Sequence, residues 1–233
     1  MATTTSAPRR ARDVARAELT RDILETAGRH LAEQGAAALS LRAVARDLGM
    51  ASSAVYRYFP SRDALLTALI IEAYDELGGA VERSEARVAR GDLVGRFLAT
   101  GRAVRRWALA HPHQYALIYG SPVPGYAAPE DTIGPATRVA RVLSAILVDA
   151  QREQRLDPGG EVAGPVRRDM DLLVAGLASP VGAAEMARGL SAWIGLFGAV
   201  NFELFGHLHN VVHHYEAFFD DHVRRLAGSM GIR

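Results

Sequence analysis

The chain has 233 residues, 49% hydrophobic and 23% charged, with a formal net charge of +1 and no cysteine. That length allows one large or two modest domains and the composition excludes global disorder, while near-neutrality means that any nucleic-acid binding must come from a local patch. The missing thiols exclude disulfide staples, zinc knuckles and cysteine nucleophiles, and fit a reducing cytoplasm. In chain order, the opening MATTTSAPRRARDVARAE lacks the apolar core of a secretory signal and reads as a flexible basic arm over residues 1–15. From about Arg16 to Gly35, the recurrence of Ile23, Ala27 and Leu31 predicts a first helix that Gly35 stops. Leu41, Val44, Ala45 and Leu48 stand at i, i+3, i+4 and i+7 and predict a short second helix, with Ser40 placed to cap its free N–H groups. Gly49 can take the left-handed conformation of a tight turn. A third helix is expected from about Ser52 to Phe59, with Val55, Tyr58 and Phe59 inward and Ser53, Tyr56 and Arg57 outward.

Two short helices about a glycine turn, after a longer one, predict a helix-turn-helix, whose second helix reads DNA. Helix-glycine-helix also occurs in ordinary bundles, so the outward chemistry decides. A solvated face would carry Glu and Lys, whereas Ser52, Ser53, Tyr56 and Arg57 offer hydroxyls, a phenol and a guanidinium suited to phosphates and base edges. Arg42 and Arg62 stand in the first turns of their helices, where the positive end of the dipole disfavours a cation by a few tenths to about 1 kcal/mol. If both helix starts face a DNA backbone, the guanidinium and the free N–H groups bind phosphate together. The alternative is two exposed arginines at negligible cost.

Residues 16–77, in the run LSLRAVARDLGMASSAVYRYFPSRDALL, resemble the DNA-binding domain of TetR-type transcriptional regulators. Ala45, Leu48, Gly49, Tyr56, Phe59 and Leu65 fall where that family's framework places similar residues. The resemblance implies that Ser40 and Arg42 contact DNA from the second helix. It implies further that Ala51, Ser52, Ser53 and Ala54, with Arg57 and Tyr58, face the groove, and that Tyr56 binds phosphate. Arg62 stands where family members often carry lysine, and the retained charge preserves a phosphate role.

Downstream, helices are expected at about 62–89, 92–110, 135–154, 166–178, 183–206 and 211–227, with no strand pattern. His111-Pro112 breaks the second of these, and YGSPVPGYAAPEDTIGP forms a long loop. The expected fold is therefore all-α: a three-helix DNA-binding domain over 16–61, then a larger ligand-binding and dimerisation domain over 62–233. The run GLSAWIGLFGAVNF is shorter than the roughly 20 residues of a bilayer span and reads as a buried or interface helix. Trp107, His111-Pro112 and Tyr115, with SPVPGY and ELFGHL, are similar to the WHG-type C-terminal domain of one branch of the TetR family. The large apolar and aromatic Phe97, Trp107, Tyr115, Ile118, Tyr119, Met170, Trp193 and Phe197 could line an apolar effector cavity, and the resemblance to TetR-type proteins places them as a group on helices that enclose the pocket, although helical spacing makes each one singly a core residue.

His207, His209, His213 and His214 crowd eight positions, and a helical i, i+4 spacing of His209 and His213 could place two imidazoles on one metal. Exposed or interface histidines near a helix end explain them without a metal. No serine elbow, phosphate-cradling glycine motif, HExxH or cofactor motif is present. The expectation is a cytoplasmic, ligand-responsive repressor, no enzyme, that binds a double-stranded palindromic operator. It would dimerise through its last two helices, answer a small apolar or amphipathic effector, and have no membrane partner. The competing readings are a helix-turn-helix interaction protein without a ligand and a metal-dependent hydrolase built on the histidine cluster.

Overall fold

The computed structural model describes residues 7–177 and 179–233. Among these it contains eleven α-helices and no strand, only an isolated bridge between Leu156 and Ile232. The helices are α1 (Ala7–Gln34), α2 (Leu41–Asp47), α3 (Ser52–Val55), α4 (Arg62–Glu85), α5 (Leu93–Ala110), α6 (Pro112–Tyr119), α7 (Ile133–Ala136), α8 (Arg138–Arg152), α9 (Gly164–Gly176), α10 (Ala183–Leu204) and α11 (Tyr215–Ser229). The expected all-α architecture is what the chain adopts. No helix among the described residues is long and apolar enough to cross a membrane.

Local chemistry sets many of the ends. Ser40 is extended and its hydroxyl accepts from the Ala43 N–H, and Asp92 accepts from the Gly95 N–H at 2.8 Å, so each satisfies a free donor at a helix start. Gly35 and Gly49 take φ of 77° and 65°, the left-handed region the two turns require. Pro112 occupies the first position of α6, where its missing N–H costs nothing. The first helix begins earlier than expected: residues 7–15 of the anticipated arm are helical, because the Ala- and Arg-rich run has good helix propensity and Pro8 is tolerated in a first turn. Residues 1–6 of that arm lie outside the described residues.

The chain divides into two compact units, the first comprising the residues up to Tyr74 with His113–Ile133, the second Asp75–Pro112 with Gly134–Arg233. This differs from a division at residue 61. Helix α4 runs through the boundary, and residues 113–133 join the first unit because Leu117, Ile118, Val123 and Tyr126 pack against its core. That core consists of Ile23, Ala27, Leu41, Val44, Val55, Phe59, Leu65, Leu66 and their neighbours. Two hydrogen bonds fix the long segment: Thr67 Oγ1 with Tyr126 Oη at 2.9 Å, and Tyr74 Oη to the Ile118 carbonyl at 3.2 Å.

In the second unit, α8 buries Val139, Leu143, Ile146, Leu147 and Ala150, a stripe with helical period. Helix α5 buries Arg96 completely: its Nη1 meets Asp149 at 2.8 Å and its Nε donates to Glu85, while Arg90 also pairs with both acids. Arg138 on α8 binds Glu82 through Nε and Nη2 at 2.8 and 2.6 Å and Asp75 through Nη1 at 2.8 Å. Gly78 permits that approach, since a Cβ there would stand 2.8 Å from the Arg138 Cβ. Hydrogen bonds from Arg138 hold the Glu82 carboxyl below the usual range.

Candidate nucleic-acid interface

Burial divides the α2–α3 pair into two faces. Leu41, Val44 and Ala45 of α2 and Val55 of α3 are buried, as is Phe59 just beyond. Arg42, Ala51, Ser53, Tyr56 and Arg57 are exposed, while Ser40, Ser52, Ala54 and Tyr58 are half-buried. The exposed side chains of Arg42, Ser53, Tyr56 and Arg57 have no hydrogen-bond or ion-pair partner among the described residues. Two guanidiniums and a phenol therefore share an open surface, with donors free for an anionic ligand.

Several residues are placed otherwise than the spacing or the resemblance implied, and Tyr58 follows its spacing, inward, rather than the groove-facing role the resemblance implied. The third helix ends at Val55 rather than Phe59. Beyond it the backbone tightens to i→i−3 bonds, Arg57 N to Ala54 O and Tyr58 N to Val55 O, as helix ends often do before a proline such as Pro60. Tyr58 turns inward against the core, with the Arg16 guanidinium 5.1 Å above its ring. Arg62 has partners within the protein: its Nη2 donates to the carbonyls of Ala36 at 2.8 Å and Ala37 at 3.3 Å. The dipole argument made this arginine a phosphate ligand. Two carbonyls of the 3-10 turn Ala36–Ala38 explain its charge as well.

One polar pair escaped the sequence reading. His30 on α1 is 6% exposed, and its Nε2 lies 2.6 Å from Oδ2 of Asp47, the last residue of α2. The hydrogen bond from His30 holds the Asp47 carboxyl below its usual range, with Arg46 and Arg29 adding to the effect. The available signal was His30 falling beside Ala27 and Leu31 on the apolar stripe of the first helix.

The eight candidate effector residues fall into two sets. Tyr115, Ile118 and Tyr119 belong to the first unit, where Tyr119 lies 5.2 Å from Tyr115 and 6.0 Å from Tyr74 between ring centres. Burial raises all three phenols above the usual tyrosine range. Phe97, Trp107, Met170, Trp193 and Phe197 belong to the second unit, with Trp193 edge-on to Phe197 at 5.8 Å. The Tyr115 hydroxyl and both indole N–H groups are buried without a hydrogen-bond partner among the described residues. A cleft of about 460 Å³ lined by Asp13, Arg16, Arg21 and Glu72, and one of about 200 Å³ lined by Glu82, Glu85, Arg90, Arg138 and Arg141, touch none of the eight.

The histidines do not keep a helical spacing. Helix α10 ends at Leu204 and α11 begins at Tyr215, and between them Gly206 and Asn210 take positive φ, which breaks the i, i+4 register of His209 and His213. Among the described residues no group of His, Cys, Asp and Glu is arranged to hold a metal.

Residues 23–69 match the family described as bacterial regulatory proteins, tetR family, and residues 97–226 match the tetracyclin repressor-like C-terminal domain. The HTH-type transcriptional regulator Rv1816 of Mycobacterium tuberculosis is 40% identical over 194 residues, covering 82% of this chain and 83% of that protein. Mb1846 of Mycobacterium bovis, another HTH-type transcriptional regulator, matches equally well. Among solved structures, the regulatory protein SCO4313 superposes with a TM-score of 0.76 at 32% identity, over 93% of this chain and 98% of its own. AibR, solved with isovaleryl coenzyme A and operator DNA, shares the fold with a TM-score of 0.57 at 15% identity, over 92% of this chain and 99% of its own.

Proposed function

This chain belongs to the TetR family of bacterial regulatory proteins, a DNA-binding transcriptional regulator and not an enzyme, and from that premise we propose that it is a ligand-responsive repressor. In this reading a homodimer binds a palindromic operator and is released by a small apolar or amphipathic effector. The observation that carries the DNA-contacting part is the open face of Arg42, Ser53, Tyr56 and Arg57, backed by a closed core. Arg57 meets a base edge, Arg42 and Tyr56 hold phosphate, and Ser40, Ala51, Ser52 and Ala54 line the approach. Tyr58 supports the face from behind, and Arg62 braces it through the Ala36 and Ala37 carbonyls.

Apolar exposure supports dimerisation through the last two helices. Ile194 and Phe202 on α10 are 63% and 53% exposed, and Phe218 on α11 is 45% exposed and stacked on His222. A second copy of the same surface would remove this area from water. Two-fold pairing would set the reading helices about 34–36 Å apart, one turn of DNA. Each aromatic set, within its own unit, is a candidate for effector contact, and the buried Tyr115 hydroxyl of the first and the buried indole N–H groups of the second, without a partner among the described residues, each suit a ligand carrying an acceptor on an apolar body. AibR, which shares the fold, was solved with both an acyl coenzyme A and operator DNA, which supports assigning both kinds of binding to this chain. The effector acts by its different affinity for two states of the dimer. The decisive experiment selects duplexes from a randomised pool and then measures affinity against salt with and without candidate effectors. A selected palindrome and a steep salt slope are expected, and a chain that selects no sequence overturns the reading.

A further inference from the structure

We propose that His30 and Asp47 are a positioning pair for DNA reading, holding the end of α2 from which the turn leads to α3. The inference rests on α3 being the reading helix. Asp47 is the last residue of α2, where the partial negative charge of the unpaired carbonyls disfavours a carboxylate. A local rule broken in this way points to function when a compensating group has been built for it. That group is the His30 ring, buried on α1, with Nε2 at 2.6 Å from the carboxylate. As the carboxylate can only accept, the imidazole donates.

The need for such a hold follows from the shape of α2. It has seven residues, and the ones it buries, Leu41, Val44 and Ala45, lie in its first five positions. The core grips the start of the helix through these three, Leu48 just beyond its end packs on the same core, and the His30 bond fixes Asp47 between them as the polar hold on that end. Two residues on, Gly49 turns the chain with a φ of 65°, and α3 begins at Ser52. A swing of the α2 end is passed through this turn to Ser53 and Arg57, and such a swing of about 1 Å is large against hydrogen-bond tolerance. The other charges facing Asp47 do not supply the same hold. Arg46 is adjacent in sequence and 3.7 Å away, with its side chain 79% exposed, while Arg29 of α1 is engaged with Thr26 and Glu25.

The test uses the full chain and a duplex it selects from a randomised pool. His30→Leu fills the buried slot without a donor, Asp47→Ala removes the acceptor, and His30→Gln restores an N–H donor. With the folded fraction of each variant checked by urea melting, His30→Leu and Asp47→Ala should each weaken binding to the selected duplex about tenfold, the factor that equals about 1.4 kcal/mol. Random duplex should change by less than about twofold, since phosphate contacts tolerate a small tilt. The double variant should bind no worse than either single one, as coupled partners require. His30→Gln should recover most of the loss. Unchanged affinity in His30→Leu, multiplicative losses in the double variant, equal losses on both duplexes, or a glutamine no better than leucine would each overturn the pair's role. A parent chain that selects no duplex overturns the DNA reading of α3 and the pair with it, an outcome distinct from all of these.

Discussion

The same side chain does opposite work in the two units. Every one of the 27 basic residues is arginine. In the second unit the guanidiniums of Arg96, Arg105 and Arg138 are spent on carboxylates, with Arg96 fully buried and Arg105 binding Glu203 through two bonds of 2.6 Å. In the first, Arg42 and Arg57 stand exposed without a partner among the described residues. A paired buried guanidinium holds helices together, and a solvated unpaired one keeps its donors for a ligand. Arg62 crosses the division: it belongs to the first unit but is spent, on the carbonyls of Ala36 and Ala37.

Substitution can break that contrast at its strongest point first. Arg96→Leu should leave Glu85 with Arg90 alone and Asp149 with Arg90 and the more distant Arg152, and urea unfolding should show a loss of about 3 kcal/mol or more, as for a buried pair that loses one partner. A loss under about 1 kcal/mol would place the network among ornamental surface pairs. Arg57→Ala should do the reverse. Unfolding should stay within about 0.5 kcal/mol of the parent, while the preference for the selected duplex over random DNA falls by about 1–3 kcal/mol. Equal losses on both DNAs would make Arg57 one more phosphate contact.

Arg62 and Arg42 sharpen the comparison within one unit. Arg62→Ala is expected to cost about 1 kcal/mol of stability, discounted for partial exposure, and to leave the salt slope of DNA binding nearly unchanged. Arg42→Ala should leave stability intact and lower that slope by about 1. If Arg62→Ala lowered the slope as well, its carbonyl contacts would be compatible with a phosphate role.

Acid provides the mildest probe of the spent arginines. Bonds from Arg102 hold the Asp220 carboxyl below the ordinary value of 3.8, with desolvation opposing and Arg224 and Arg105 assisting. A folded value below the unfolded one contributes stability that is fully present above about pH 4 and lost as pH falls through the folded value. Asp220→Asn should therefore make the stability of the chain fall less steeply below about pH 4. An acid limb identical to that of the parent would show that the pair with Arg102 adds nothing to the fold.

The existence and order of most helices, the Ser40 cap, the Gly35 and Gly49 turns and the all-α class could be read from the sequence alone, whereas the start of α1 and the end of α3 could not. Each depends on groups within about four residues, where period and capping act directly. The outward placement of Ser53, Tyr56 and Arg57 was legible for the same reason. The tertiary structure alone decided which arginines are free, where the first unit ends and what holds α2. His30 meets Asp47 across 17 residues, Arg62 meets Ala36 across 26, and Thr67 meets Tyr126 across 59. No local rule ranks such partners, because a guanidinium in a first turn satisfies its donors equally well with a carbonyl from a distant turn or with a phosphate, and only the packed chain brings one of them within 3 Å.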